Sequence, residues 1–419
     1  MTEIPRVAFF TDSFTEVNGV ARTSRALAAF AAERDRPMLC VHGGRRTELV
    51  TEGSITRLAL ERSRVGFGLE EDLRFDLLLW RHRRRVAEAL RQFAPDLVHI
   101  TGPGDVGQLG AYLAHVSDVP LVASWHTNLH DFAALRLDRV TRLVPSPARH
   151  VLTGGARRQT LKLVLDFYRI ARWVLAPNPD LVALIARATG RPVDLMPRGV
   201  DTTRFSPAWA TPRNGTFRIG YVGRLSPEKS VRVLAHIERE LLGLGQTDIS
   251  MVVVGDGSER PWLQEHLQHG EFPGVLEGER LSRAYANMDV FVFPSVSDTF
   301  GNVVLEALAS GTPAIVMDQG GPRFIVRHGI SGYHVSNAGG FVDAILALIA
   351  DRDRHLAMRA AAREQALEAS WPQVFDGVYT AYQRCLSAAG APETDAPEIG
   401  PPDRISRLVS FGLRAFHAH

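Results

Sequence analysis

Short apolar, β-branched runs recur along the chain with helix-length segments between them, and this alternation admits few folds. Val7 to Phe10, Met38 to Val41, Leu97 to Ile100, Leu121 to Ser124 and Trp173 to Ala176 form a first series. Phe217 to Val222, Ser250 to Val254, Val290 to Phe293 and Ala314 to Met317 form a second, after a polar stretch from Asp201 to Thr216. Runs of this kind predict parallel strands, and the segments between them predict crossover helices.

Two series predict an α/β chain of two Rossmann-like, doubly wound domains, residues 1–200 and 217–370, with 201–216 as the linker. A length of 419 residues, too long for one comfortable core, agrees. A helical run from Trp371 to Leu386 is expected to complete the first domain. Residues 387–419 are a Pro-, Glu- and Ala-containing tether and then a basic amphipathic tail, in which Ile405, Leu408, Val409, Leu413 and Phe416 recur at helical spacing among Arg404, Arg407 and Arg414. Such a tail suits an anionic membrane surface or packing on the first domain.

Lys and Arg total 48 against 46 Asp and Glu, so no global basic field calls for nucleic acid as a partner. One local exception, Arg81-His82-Arg83-Arg84-Arg85 beside Trp80, fits anionic headgroups or a solvated helix face. The two cysteines, Cys40 and Cys385, fall in strand-like and helix-like runs and read as small core residues in a reducing compartment. The chain reaches Val7 without a signal-peptide core, and no run approaches membrane-spanning length. A cytoplasmic protein is expected, with peripheral contact at the inner face of the membrane.

Chemistry concentrates in the second series. The run from Phe293 to Gly311 reads as a buried strand ending at Pro294, a short loop carrying Asp298, and a helix opening near Gly301. Ligands of open parallel sheets gather beyond the carboxyl ends of strands, where loops enter helices. Backbone N–H groups at Phe300, Gly301 and Asn302 would meet an anion there, and Gly301 would let phosphate oxygens approach. Glu306 follows Asp298 by eight positions, a separation of roughly 12 Å at helical rise, which suits a sugar on Asp298 and a ribose on Glu306 with a diphosphate between them. Arg224 and Lys229, five positions apart after another strand, can meet phosphate charge, the first as a planar fork and the second as a point charge. The glycine turn at Gly255 brings backbone near the same place.

Three further loops carry candidates. Asn18-Gly19 precedes a helix after the first strand, and Gly19 permits close backbone approach. Trp125-His126-Thr127 follows the strand Leu121 to Ser124, which puts His126 at a strand's carboxyl end, although a lone His is also what a hydrogen-bonded core group looks like. Arg198, in Met196-Pro197-Arg198-Gly199-Val200-Asp201, suits a ligand contact or a hinge salt bridge.

The acid at 298, seven intervening residues and Glu306, with the Phe300-Gly301 step, resemble the signature of the retaining GT-B glycosyltransferases of family 4 (glycosyl transferases group 1). The family usually has Glu where this chain has Asp298. The resemblance covers roughly Arg6 to Leu386. It implies two Rossmann-like domains facing a central cleft, phosphate contacts from Arg224 and Lys229, and base contacts around Leu276. On the first domain it implies donor-facing backbone at Gly19 and acceptor contacts from Asn18, Thr127 and Arg198, with His126 binding and orienting the sugar.

The wording Asp298-Thr299-Phe300-Gly301-Asn302-Val303 is most like bacterial mannosyl- and glucosyltransferases acting on lipid acceptors. The implied reaction moves mannose or glucose from a GDP- or UDP-hexose to a glycolipid or other glycan precursor, with retention. No compact Asp-x-Asp motif with a convincing loop context appears, and the cations can replace a metal's charge, so neither metal nor cofactor is expected. A nucleotide-sugar epimerase of the same architecture and a silent sugar-nucleotide-binding homologue are the alternatives.

Overall fold

The computed structural model describes residues 4–16, 18–63, 66–70, 73–76, 78–126, 146–212 and 215–389, with 66–70, 73–75, 146–153 and 389 described by backbone alone. The chain divides into two compact units, Met1–Met196 with Phe375–His419, and Pro197–Val374. The tail beyond residue 389 and Thr127 lie outside the described residues.

The first unit comprises β1 (Val7–Thr11), α1 (Gly19–Glu33), β2 (Met38–Gly44), β3 (Glu48–Glu52), β4 (Ile55–Glu61), β5 (Gly66–Glu70), β6 (Leu73–Asp76), α2 (Arg83–Phe93), β7 (Leu97–Ile100), α3 (Asp105–Val116), β8 (Leu121–Ser124), α4 (Ser146–Tyr168), β9 (Trp173–Ala176), α5 (Pro179–Thr189) and β10 (Val193–Leu195). Its sheet has the order β10-β9-β8-β7-β1-β2-β4-β3, parallel except where β3 runs against β4, and β5 and β6 form a separate hairpin. Strands β1, β2, β7 and β8 are buried along almost their whole length, as parallel strands covered on both faces must be.

The second unit comprises β11 (Phe217–Val222), α6 (Val233–Gly243), β12 (Ile249–Val254), α7 (Arg260–His266), β13 (Gly270–Gly274), α8 (Gly278–Ala286), β14 (Val290–Phe293), α9 (Asn302–Ala309), β15 (Ala314–Met317), β16 (Gly332–Val335), α10 (Ala338–Ala350) and α11 (Arg352–Leu367). The order β13-β12-β11-β14-β15-β16 is parallel throughout. Strand order reverses between β11 and β14 here and between β1 and β7 in the first unit, and loops that leave such neighbours in opposite directions open a crevice.

All nine strands of the two apolar series are present. Outside those series stand β3, β10, β13 and β16, at sheet edges, β4, whose burial alternates, and the β5–β6 hairpin. An edge strand needs no continuous apolar run, so none marks it in the sequence.

The stretch read as a linker, 201–216, counts with the second unit. Phe205 is fully buried in that unit's core, edge-on to Tyr285 at 5.7 Å. Arg363 of α11 donates to the carbonyls of Thr202, Phe205 and Ala309, tying the stretch to the end of α9. The helix α12 (Trp371–Ala389) begins in the second unit and packs residues 375–389 on the first, where Phe375, Tyr379 and Tyr382 are buried, Phe30 meets Phe375 and Tyr379, and Arg36 lies over the Tyr379 ring and pairs with Asp376. Cys40 and Cys385 are buried and unbridged. Among the described residues no helix is long and apolar enough to cross a membrane.

Because Phe205 is core, Phe205→Ala costs the second unit about 3–5 kcal/mol, the range for a buried aromatic truncated to Ala. Urea unfolding measures it, and a loss under about 0.5 kcal/mol would return the stretch to linker status.

Candidate functional site

The second unit's crevice is built by the loops after β11 and β14. After β11 the chain turns at Gly223 (φ 155°), passes Arg224 and makes a single 3-10 turn, Pro227–Lys229, closed by Ser230 in the left-handed region. After β14, Ser295 to Phe300 lead to Gly301 (φ 98°), the cap of α9. Lys229 Nζ meets both carboxylate oxygens of Asp298, at 2.7 and 2.9 Å, and each side chain is about four-fifths buried (22% and 20% exposed). Ser297 Oγ donates to the Glu228 carbonyl, and Ser226 Oγ donates to the Glu228 carboxylate. Asp298, Glu228 and Arg224 all lie near Tyr221, whose buried hydroxyl donates to the Arg224 carbonyl. Burial and then the two carboxylates hold the Tyr221 pKa far above its usual value.

The helix begins only at Asn302, so helical rise does not apply across Asp298–Glu306. Glu306 lies in the second turn, 4% exposed, and accepts a hydrogen bond from the Tyr285 hydroxyl at 2.9 Å. At the start of α9 the Val304 N–H is taken by the Gly301 carbonyl at 2.9 Å, and the amides before it face no carbonyl of the helix, which leaves the helix entrance beside Asp298 receptive to anions. Asn302 Oδ1 is buried there without a hydrogen-bond partner among the described residues.

Glycines hold these loops together by having no side chain. A Cβ on Gly255 (φ 133°) would lie 1.9 Å from the Gly223 carbonyl oxygen, so Gly255 packs the β12 turn under the β11 turn. Leu276 is partly buried against the core, between β13 and α8. Sequence reasoning missed Gly320-Gly321-Pro322. Gly321 N–H donates to the Asp298 carbonyl at 2.8 Å, a Cβ there would strike the Thr299 carbonyl, and Pro322 packs against Gly301. The signal available was a Gly-Gly-Pro step just after the strand Ala314 to Met317.

The first unit's candidates are placed as follows. Asn18 caps α1, its Oδ1 accepting from Ala21 N–H at 2.9 Å while its Nδ2 donates to Ser13 Oγ, and Gly19 is the exposed first residue of that helix. His126 Nε2 lies 2.7 Å from Ser124 Oγ. Arg198 belongs to the second unit and is 4% exposed, donating to the Pro197 carbonyl; burial lowers its guanidinium pKa to about 10. Of the basic run, Arg81 binds Asp76 and the Glu61 carbonyl, and His82 meets the same carbonyl, while Arg83, Arg84 and Arg85 are exposed.

At the first unit's strand-order reversal stands a residue the sequence did not single out. Asp12 Oδ1 accepts from the amides of Val106 and Gly107 at the start of α3, at 3.0 and 3.2 Å. Gly104 leaves no room for a Cβ against that carboxylate. Burial, then the neighbouring Asp105, push the Asp12 pKa up to about 7, against the opposing pull of Arg62 and the two amides; Tyr168 also faces it.

The profile described as "Glycosyl transferases group 1" matches residues 216–351, and that described as "Glycosyltransferase Family 4" matches 17–204. A GDP-mannose-dependent alpha-mannosyltransferase of Mycolicibacterium smegmatis is 34% identical over 318 residues, 73% of this chain and 77% of that protein. One of the same description from Mycobacterium tuberculosis is 35% identical, over 71% and 75%. Sucrose-phosphate synthase from Thermosynechococcus elongatus superposes with a TM-score of 0.68 at 18% identity, covering 92% of this chain and all of that one.

Two predictions follow from this geometry. Gly321→Ala displaces the Asp298 loop, so nucleotide-sugar affinity falls at least tenfold while the circular dichroism spectrum is unchanged; undiminished affinity in a calorimetric titration would show that the loop does not depend on that close approach. Because Asp12 binds its proton more tightly folded than unfolded, its contribution is full below about pH 4 and is lost as pH rises towards 7. Asp12→Asn keeps the acceptor oxygen and removes the titration, so it gains stability relative to wild type across that window, and parallel urea midpoints for the two proteins would refute the shift.

Proposed function

The chain belongs to the family-4 glycosyltransferases, and we propose from this premise that it is a retaining α-mannosyltransferase using GDP-mannose. The carrying observation is the Lys229–Asp298 pair at the entrance to α9, with Glu306 one turn deeper. Two relatives matched over about three-quarters of their length are named for GDP-mannose, which supports that donor over a UDP-sugar.

In this reading the diphosphate takes the α9 entrance and the Lys229 ammonium. Phosphate competes with Asp298 for Lys229, and the released carboxylate accepts hydrogen bonds from the mannose hydroxyls. Glu306, already oriented by Tyr285, accepts from the ribose. As the bond from anomeric carbon to phosphate oxygen breaks, Arg224 and Lys229 stabilise the charge on departing GDP. The acceptor oxygen bonds to the same face of the sugar, and its proton passes to the leaving phosphate, so no base beyond the donor is required. His126 contacts and orients the sugar. These cations supply the compensation a metal would otherwise give, so transfer proceeds in EDTA.

We assign the acceptor to a lipid-borne glycan precursor, supported by the exposed Arg83, Arg84 and Arg85 on α2, which suit an anionic leaflet. A panel of GDP- and UDP-hexoses, read by NMR with and without acceptor, should give turnover with GDP-mannose and an α-linked product. Lys229→Ala lowers kcat/KM by 10²–10³, the usual effect of removing a group that meets developing charge. Glu306→Gln raises the donor KM roughly tenfold, as expected for a lost charged hydrogen bond. Normal transfer by both variants would overturn the site, and an epimerised donor without acceptor would overturn the reaction class.

A further inference from the structure

The hydroxyl of Tyr221 reaches the loop that carries Arg224, and the proposed chemistry gives it no part. Its ring belongs to the core. Tyr221 on β11 is wholly shielded from solvent and lies nearly parallel to the Phe293 ring of β14, with centroids 6.1 Å apart. A phenylalanine would fill that place. The oxygen does something more, because it donates to the Arg224 carbonyl at 3.0 Å. A carbonyl can only accept, so the direction of this bond is fixed. Burial, then the Asp298 and Glu228 carboxylates, keep the hydroxyl protonated, which makes the donor permanent. The loop is fitted closely to it, since a Cβ on Gly223 (φ 155°) would lie 2.9 Å from Tyr221 Oη.

The Arg224 carbonyl shares one peptide unit with the Leu225 N–H, and in a trans peptide these two groups point in opposite directions. The Leu225 N–H donates to the Asp256 carbonyl at 2.8 Å. The unit is therefore gripped from both sides, by Asp256 of the turn after β12 and by Tyr221 of β11. The same turn holds the flanks. Gly223 N–H donates to the Val254 carbonyl at 3.0 Å, and Glu259 N–H donates to the Leu225 carbonyl at 2.9 Å. Gly257 packs against that carbonyl too closely for a Cβ. All these contacts draw the loop towards β12, and Tyr221 pulls against them from beneath. The plane of a peptide sets ψ of the residue before it, here Arg224, and so sets the direction in which that side chain leaves the loop.

We propose that Tyr221 is a positioning residue of the diphosphate site, whose hydroxyl sets the Arg224–Leu225 peptide and thereby aims the Arg224 side chain at the charge of the nucleoside diphosphate. The functional part rests on the reading that Arg224 meets that charge. Arg224 is exposed, and a long exposed side chain is aimed only as well as its backbone is held. A planar fork needs that aim more than a point charge does, because its two parallel hydrogen bonds require one orientation. Tyr221 also lies near Asp298 of the loop after β14, so the hydroxyl refers the position of the cation to the junction at which the two loops meet.

The test is a double-mutant cycle on the full chain, read by calorimetric titration with GDP and, alongside it, UDP. Tyr221→Phe keeps the ring and should weaken binding of the nucleotide about fivefold, within the effect of one net hydrogen bond. In an Arg224→Ala background the same change should weaken it less than about twofold, the scatter of independent effects, because the hydroxyl acts through the missing side chain. Hydrogen exchange of the segment 222–226, read by mass spectrometry without nucleotide, should be faster in Tyr221→Phe than in wild type, with the other strands of the sheet unchanged. Equal losses of affinity in the two backgrounds overturn the action through Arg224, and unchanged exchange at 222–226 overturns the hold on the peptide. If neither nucleotide binds wild type, or Arg224→Ala binds as tightly as wild type, the phosphate reading of Arg224 falls, and the exchange comparison alone decides whether the hydroxyl holds the loop.

Discussion

The second unit's site depends on the reversal of strand order between β11 and β14. The two strands are hydrogen-bonded neighbours, yet the chain leaves one towards β12 and the other towards β15, so no crossover segment fills the space above their ends. Two loops of unrelated sequence are left facing each other. What joins them is a set of side-chain and carbonyl contacts, Lys229 to Asp298 and Ser297 to the Glu228 carbonyl, with the glycines of both loops and of the turn at 320–322 setting how closely the backbones approach.

The energetics of that junction favour a functional over a structural purpose. An ion pair four-fifths removed from water recovers little of what desolvation costs, and a well-packed apolar pair would hold the loops at least as well. Ionic groups make the junction polar and exchangeable, because an incoming phosphate can replace a carboxylate on Lys229 without leaving a buried charge unpaired. The glycines have the opposite character. At Gly255, Gly320 and Gly321 the neighbour is backbone, which cannot swing aside as a side chain can, so the loop frame is rigid while its charges can be repartnered.

Legibility in the sequence tracked burial. Every fully buried parallel strand announced itself as an apolar run, whereas β13, with Gly270, Pro273 and Gly274 among its five residues, had no such run to show. The polar stretch holding Phe205 looked like a linker because one aromatic among polar residues carries no periodicity, and the residues that pin the segment, Arg363 and Asn287, lie far along the chain. The charged candidate residues stood out as motif members, and their partners did not. Neither the pairing of Lys229 with Asp298 nor the contact of Tyr285 with Glu306 follows from spacing, since each joins elements brought together by the sheet. The buried hydrogen bond between His99 and Tyr382, separated by 283 positions, is the extreme case.

The same architecture treats its two helix entrances in opposite ways. In the second unit the start of α9 carries no carboxylate of its own in the first turn, and the nearest acid is held by a lysine. In the first unit the equivalent place, the start of α3 beside the end of β1, is taken by the Asp12 carboxylate, which accepts from two of the amides that would otherwise receive an anion. A phosphate arriving there would have to displace a side chain fixed by Gly104 on one side and by the Thr101 hydroxyl at its amide on the other. One doubly wound unit therefore leaves its helix entrance to an anion and the other fills its own, an asymmetry independent of any motif that supports the proposed place of the diphosphate in the second unit.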